Sequence, residues 1–412
     1  MNRRAYLAAG VSLCLAGCTA SRRSDSRATT DGDDESTADP GTEPTTDSIA
    51  THPNAAGTDD DFSDLDVWEV AGGTLTADPG RAVVGSQSAR LLTHSSEGAT
   101  QLAKRFTEPR DLSDVVPGVA VAADGFVTPW IRFVDTDGNR LDCRRSVSGE
   151  LPLMRYNFGI EAVDSTFDET RVREIHLQLW TKDGTRRTVW FDDLHFTPRP
   201  ETGLVSIQFD DGSATDYTEA LPILEEYGYT ATTFINPVSI DSGEDWLTTT
   251  QLSALDDAGW CIANHTWSHA RLPELSRTEQ AAEIREGKRW LLERGFDDGA
   301  DYFAYPYGRY DATTLELVAD EHSIGFAAGR PAQGYLTNPR LASRLGEPGT
   351  DRLRTALERT ATHRGITSVL YHRLAGDDLE TFETLVETIH EYESRGELEV
   401  VLPSDLERDA LF

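Results

Sequence analysis

Four short stretches hold most of the side chains able to do chemistry: Gln208-Phe209-Asp210-Asp211-Gly212, Asn264-His265-Thr266-Trp267-Ser268-His269, Tyr305-Pro306-Tyr307-Gly308 and Leu370-Tyr371-His372. The spacing of His265 and His269 lets one helical turn or a tight loop present two imidazole nitrogens to one ion. An aspartate would add a third, anionic ligand and leave a coordination position open for water. Singly these signals are weak, because the chain has ten His, and acidic turns before Gly are ordinary among 71 Asp and Glu.

Such residues need a scaffold that brings distant segments together, and the pattern from Gly203 onward supplies one. Val205, Ile207 and Phe209 alternate as in a strand, and a helical segment follows from Tyr217 to Tyr227, stopping at Gly228 where a helix C-cap favours glycine. Thr230 to Ile235 is again β-branched and aromatic. Ser276-Arg277-Thr278-Glu279 reads as a capping box opening a helix that ends near Gly295. Further strands are predicted at Asp301 to Tyr305, Ile324 to Ala327 and Ser368 to Tyr371. Repeated β-then-α units argue for a parallel sheet, and over about 200 residues for a barrel with its active-site face at the C-terminal strand ends. Each of the four stretches follows an apolar strand, so all four should meet on that face.

In this order and spacing the four stretches resemble the polysaccharide deacetylase family, carbohydrate esterase family 4 with its NodB-type domain, over roughly Gly203 to Asp405. The resemblance implies an α/β fold, a distorted (β/α) barrel over 203–412, and a hydrolase that removes acetyl groups from an acetylated polysaccharide. Carried over residue by residue, it implies that Asp211, His265 and His269 bind one divalent metal, usually Zn2+, and that Asp210 is the general base. It further implies that the Tyr307 N–H helps hold the oxyanion and that His372 is the general acid. His372 would need a nearby carboxylate to stay protonated, and the sequence does not identify one.

One position departs from the family pattern. Many members carry an Arg two residues before the Pro of the third stretch, tethering the catalytic Asp; here that position is Ala304, with Arg340 or Arg344 as candidates to replace it. N-acetyl groups are the expected substrate, with O-acetyl esters as the alternative within the same fold. Ala304 also keeps open a catalytically inactive surface glycan-binding protein, and a purely structural envelope protein is a third reading.

Residues 62–200 show short alternating runs and turn residues, which predict an all-β sandwich. Asp137-Gly138 and Lys182-Asp183-Gly184 are the expected hairpin turns. The runs Phe62 to Trp68, Gly85 to Leu91 and Val189 to Leu194 resemble jelly-roll carbohydrate-binding modules, which makes Trp68, Trp130, Trp180 and Trp190 candidate sugar platforms or core aromatics. Asp192-Asp193 is a candidate for a structural Ca2+.

The first 18 residues read as an export signal. Arg3-Arg4 ahead of a short apolar stretch resembles a twin-arginine signal, and Leu15-Ala16-Gly17-Cys18 resembles a lipobox that would make Cys18 the lipidated first residue. Residues 19–61 lack aromatic residues, Leu and Val, and are expected to form a disordered acidic Ser/Thr-rich tether. The protein is thus expected on the extracellular face of the membrane, held there only through its lipid.

The 412 residues carry 71 Asp and Glu against 38 Lys and Arg, a formal charge of -33. That balance repels phosphate backbones and anionic lipid, so no nucleic-acid partner is expected. Lys occurs only at 104, 182 and 288, a composition that resembles proteins of extreme halophiles. Cys143 and Cys261 fall in different domains and make no disulfide framework. Glycan identity and oligomeric state are not encoded in any motif.

Overall fold

The computed structural model describes residues 56–94, 99–180 and 185–412. The expected signal segment, Cys18 and nearly all of the expected tether lie outside the described residues. Among the described residues no helix is long and apolar enough to cross a membrane.

The N-terminal part is built from strands β1 (Gly57–Asp60), β2 (Glu69–Ala71), β3 (Gly73–Asp78), β4 (Ser88–Thr93), β5 (Ala99–Arg110) and β6 (Val115–Ala123). It continues through β7 (Trp130–Asp135), β8 (Arg140–Arg144), β9 (Met154–Asn157), β10 (Gly159–Val163), β11 (Val172–Trp180) and β12 (Thr188–Pro198). They form two sheets, ordered β3-β4-β12-β6-β9 with β1 also on β12, and β10-β8-β7-β11-β5-β2. Strand alternation drives the packing: Ile175, Leu177 and Leu179 of β11 are buried, as are Val119 and Val121 of β6, and Phe133 meets Phe196 across the layer at 6.2 Å.

Three expectations for this region need correction. The tether does not reach residue 61, because Gly57–Asp60 is a strand paired with β12, its backbone satisfied by the sheet rather than by apolar burial. Asp137-Gly138 does join the antiparallel pair β7 and β8, but Lys182-Asp183-Gly184 lies outside the described residues, and the strands on either side of it, β11 and β12, do not pair as a hairpin. Strands β11 and β12 lie in different sheets. Asp192 and Asp193 are not free cation ligands. Asp192 accepts from the Val83, Val84 and Asp193 amides, while Asp193 accepts from Thr58 and Arg155, so donors fill the oxygens that calcium would require.

The C-terminal part opens with β13 (Gly203–Asp211), followed by β14 (Thr232–Ile235), β15 (Cys261–Asn264), β16 (Tyr302–Ala304), β17 (Ile324–Ala328), β18 (Ala342–Gly346), β19 (Ile366–Tyr371) and β20 (Leu398–Val400). All their pairings are parallel, and β13 bonds both β14 and β19, closing a seven-stranded barrel. Strand β20 lies on the first three residues of β13, beside β14, which takes the last four. The expected distorted (β/α) barrel is thus the observed fold.

Period-two alternation sorts β13 into two faces. Val205, Ile207 and Phe209 pack outward against the helix layer, where Phe209 meets Trp260 and Phe382, while Ser206, Gln208 and Asp210 are the buried polar residues of the other face. The predicted capping box is present: Ser276 accepts from the Glu279 amide and opens the helix Arg277–Leu292. The segment between β17 and β18 packs on the sandwich. Asn157 donates to the Tyr335 carbonyl (2.7 Å) and accepts from the Thr337 amide (3.0 Å), and Asn338 donates to the Arg155 carbonyl (2.9 Å).

Candidate active site at the barrel rim

The C-terminal ends of β13, β15 and β19 and the turn after β16 place the four sequence stretches together. Asp211 ends β13 with a left-handed backbone (φ 73°), and Thr266 and His269 share that conformation (φ 71° and 58°). Left-handed conformations at three non-glycine positions cost conformational energy and concentrate at functional sites. His265 and His269 sit on a tight loop rather than a helical turn, and the His269 amide donates to Thr266 Oγ1 (3.0 Å).

These turns bring three ligand atoms together. Asp211 Oδ1 lies 3.6 Å from His265 Nε2 and 3.3 Å from His269 Nε2, and one donor atom from each of the three residues fits within a 4.8 Å spread. His265 Nδ1 donates to the Ala304 carbonyl at 2.8 Å, which leaves the lone pair on Nε2. Buried Nε2 and Asp211 Oδ1 have no hydrogen-bond partner. Burial holds His265 below its usual pKa, so it is neutral. Orphaned lone pairs on a neutral imidazole and a carboxylate, with a second imidazole beside them, fit a divalent cation with borderline-soft preference.

Asp210 faces the other way. Arg344 of β18 grips it with two bonds, Nη1 to Oδ1 at 2.7 Å and Nη2 to Oδ2 at 2.9 Å, and both side chains are buried. Burial alone would raise its pKa, but the charge and hydrogen bonds of Arg344 outweigh it and hold the carboxyl below the usual carboxylate range. This answers the Ala304 departure: the tethering guanidinium comes from β18. Both Asp210 oxygens are taken by Arg344, and Arg340 contributes its backbone carbonyl, which accepts from Tyr305 Oη at 2.9 Å.

His372, after β19, is half-exposed, and its Nδ1 is 2.8 Å from Glu347 Oε1. Burial would lower its pKa, but Asp210, Glu347 and Asp211 together hold it above the ordinary histidine value. Glu347 is the carboxylate that the sequence did not identify. Its signal was position, since it directly follows β18 at the same rim, and its amide is fixed on the Leu370 carbonyl (2.8 Å).

Tyr307 takes a left-handed backbone (φ 59°) between Pro306 and Gly308. The next two amides bond back to Tyr305 and Pro306, whereas that of Tyr307 has no such partner. The Tyr307 ring lies 4.5 Å from that of His269 and is about half-exposed, while Tyr305 is packed in the core. A cavity of about 370 Å³ is lined by Asp210, Tyr307, Arg344 and His372, with Gly308, Ala328, Gly346 and Leu370 as its small or apolar wall. A group with an ionised carboxylate, an oriented N–H and a protonated imidazole on one cavity can activate water, hold a developing oxyanion and protonate a leaving group.

Residues 197–323 match the family model described as polysaccharide deacetylase. The barrel carries a polysaccharide deacetylase domain. A Bacillus subtilis (strain 168) protein named "Putative polysaccharide deacetylase YxkH" is 29% identical over 199 residues, which are 47% of this chain and 67% of that protein. Among solved structures, the deacetylase domain is similar to a family 4 carbohydrate esterase from Streptomyces lividans in complex with acetate (19% identity, TM-score 0.37, 50% of this chain and 95% of that one). It is also similar to the peptidoglycan deacetylase PdaC from Bacillus subtilis (17% identity, TM-score 0.37, 51% and 92% of the two chains). The protein is a hydrolase of this deacetylase type.

The sandwich tryptophans divide. Trp68 is buried against Phe62 (5.3 Å), and Trp190 lies under Arg81 (4.1 Å) with its N–H on Asp78 (2.8 Å), so neither ring face is free. Trp180 is 50% exposed and stands edge-on to Trp130 at 5.1 Å. Cys143 and Cys261 are free and buried, and burial pushes the Cys261 thiol up to about 12, so neither is a nucleophile.

Proposed function

We propose that this protein is a metal-dependent hydrolase removing N-acetyl groups from a cell-surface or extracellular polysaccharide. One observation carries the reading: Asp210, held anionic by Arg344, and His372, held protonated beside Glu347, line the same cavity next to the orphaned lone pairs of Asp211 and His265.

Asp211, His265 and His269 would hold the ion, Zn2+ being the best match to a two-imidazole, one-carboxylate set. When bound, such an ion lowers the pKa of water and polarises a carbonyl. Asp210 accepts the proton of the water that adds to the acetyl carbonyl, and Arg344 keeps that carboxylate ionised and aimed. The free Tyr307 N–H donates to the developing oxyanion. His372 gives its proton to the departing nitrogen as the C–N bond breaks, so acetate and a free amine leave. Glu347 holds the imidazole by Nδ1 and favours its charged form.

The His372 and Glu347 pair favours amide over ester, because an unprotonated alkoxide leaves more readily than an unprotonated amide anion and so depends less on a general acid. Support for an extracellular, lipid-held position at Cys18 is the Arg3-Arg4 pair and the Leu15-to-Cys18 run. In the sandwich, exposed Trp180 and Phe126 with Thr185 and Arg187 line a groove of about 390 Å³, the place where glycan contact is proposed. The deciding experiment follows acetate release from N-acetylated and O-acetylated oligosaccharides by wild type and Asp210→Asn. The reading expects release from the N-acetyl substrates and its loss in the variant. Release from O-acetyl substrates alone, undiminished by His372→Ala, would replace it with an esterase. Wild-type inactivity on both would favour a glycan-binding protein.

A further inference from the structure

Arg145 of the sandwich is 1% exposed, and among the described residues it pairs with no carboxylate. Its guanidinium lies over the Tyr156 ring (5.7 Å), donates through Nη1 to Ser343 Oγ, and donates through Nη2 to the Leu341 carbonyl at 3.3 Å. An aliphatic side chain would fill the space without the penalty of desolvating a cation. What the guanidinium adds is the pair of bonds to the barrel.

The place those bonds reach matters. Ser343 and Arg344 are neighbours on β18, so their side chains point to opposite faces. Ser343 faces out to the sandwich, and Arg344 faces in to grip Asp210. Gly329 lets the layers close: a Cβ there would stand 2.2 Å from Ser343 Oγ and 2.8 Å from Arg145 Nη1. Its amide bonds the Arg344 carbonyl at 3.1 Å, so the same strand is fixed on both sides of the arginine.

We infer that Arg145 is a positioning residue, through which the sandwich sets the β18 register that aims Arg344 at the proposed base Asp210. The sandwich is then part of the catalytic unit and not only a spacer or a glycan-binding attachment. The catalytic half of this inference rests on the deacetylase reading; the structural half does not.

The test compares wild type with Arg145→Met, Ser343→Ala and Asn157→Ala in the full chain, folded in high salt. Asn157→Ala removes bonds to Tyr335 and Thr337 in the same interface without touching β18. Amide exchange of residues 342–346 should rise in Arg145→Met and Ser343→Ala and stay at the wild-type rate in Asn157→Ala. The turnover number for acetate release should fall about tenfold or more in the first two, with KM held, because a base swung from its aim costs rate and not ground-state binding. The double variant should be no worse than Arg145→Met alone. Unchanged exchange over 342–346 in folded Arg145→Met would overturn the inference, as would an equal loss of turnover in Asn157→Ala. Should Arg145→Met fail to fold, Ser343→Ala, which removes one hydroxyl, decides alone. Absence of acetate release by wild type would defeat the deacetylase reading, while the exchange data would still judge the coupling of Arg145 to β18.

Discussion

At the residue scale, two titrating groups set the pH range of the reaction. Asp210 must be ionised and is held below the usual carboxylate range, so activity should persist well into mild acid and fall only as pH drops through that lowered value. His372 must be protonated and is held above its usual value, so activity should fall as pH rises through it. Glu347→Gln removes a contribution that favours imidazolium. Its alkaline limb should therefore move to lower pH while the acid limb stays, as a kcat/KM profile would reveal; an unmoved alkaline limb would remove Glu347 from the account. Asp210→Asn should lower kcat by about 10² to 10⁴-fold, the usual contribution of a general base, without loss of metal. The residues legible in sequence were those within compact motifs: Asp210, Asp211, His265, His269, Tyr307 and His372 all reach one rim. Glu347 was not legible because a lone Glu in an acidic chain carries no signal until a strand end points it at a histidine.

At the element scale, β18 is the strand on which the site depends. It carries Ser343 outward, Arg344 inward and Glu347 just beyond its end. Arg344→Met should destabilise the fold by about 3–5 kcal/mol, because it leaves the buried Asp210 carboxylate unpaired. Denaturant unfolding at fixed salt would measure this, and a loss under about 1 kcal/mol would mean that Asp210 simply takes up a proton or water. Alternation made the β13 faces readable, and the capping box at Ser276 made one helix start readable. The expected hairpin pairing of β11 with β12 failed because turn residues do not specify the sheet that the next strand joins. Ala304 could be read only as a missing arginine, since its replacement lies 40 residues downstream on a strand whose register the sequence does not fix.

At the scale of the whole molecule, sandwich and barrel are joined by buried bonds at Arg145 and Asn157 and by Glu169, which accepts from both Arg199 (2.9 Å) and His363 (2.8 Å). The barrel expressed without the sandwich should therefore be poorly soluble or unstable, since the segment between β17 and β18 would lose its cover. A net charge of -33 makes self-repulsion the other global term. Raising salt from about 0.1 M to 1 M shortens the Debye length from about 10 to 3 Å, so Tm should rise with salt concentration. A Tm insensitive to salt would show the acidic surface to be energetically neutral. The central claim is that Asp211, His265 and His269 hold the ion on which acetate release depends. The most direct measurement is acetate release from N-acetylated oligosaccharide before chelation, after chelation and after return of zinc, for wild type and His269→Ala. The account predicts loss on chelation, recovery with about one equivalent of zinc in wild type, and no recovery in the variant. A full rate in metal-free wild type would contradict it.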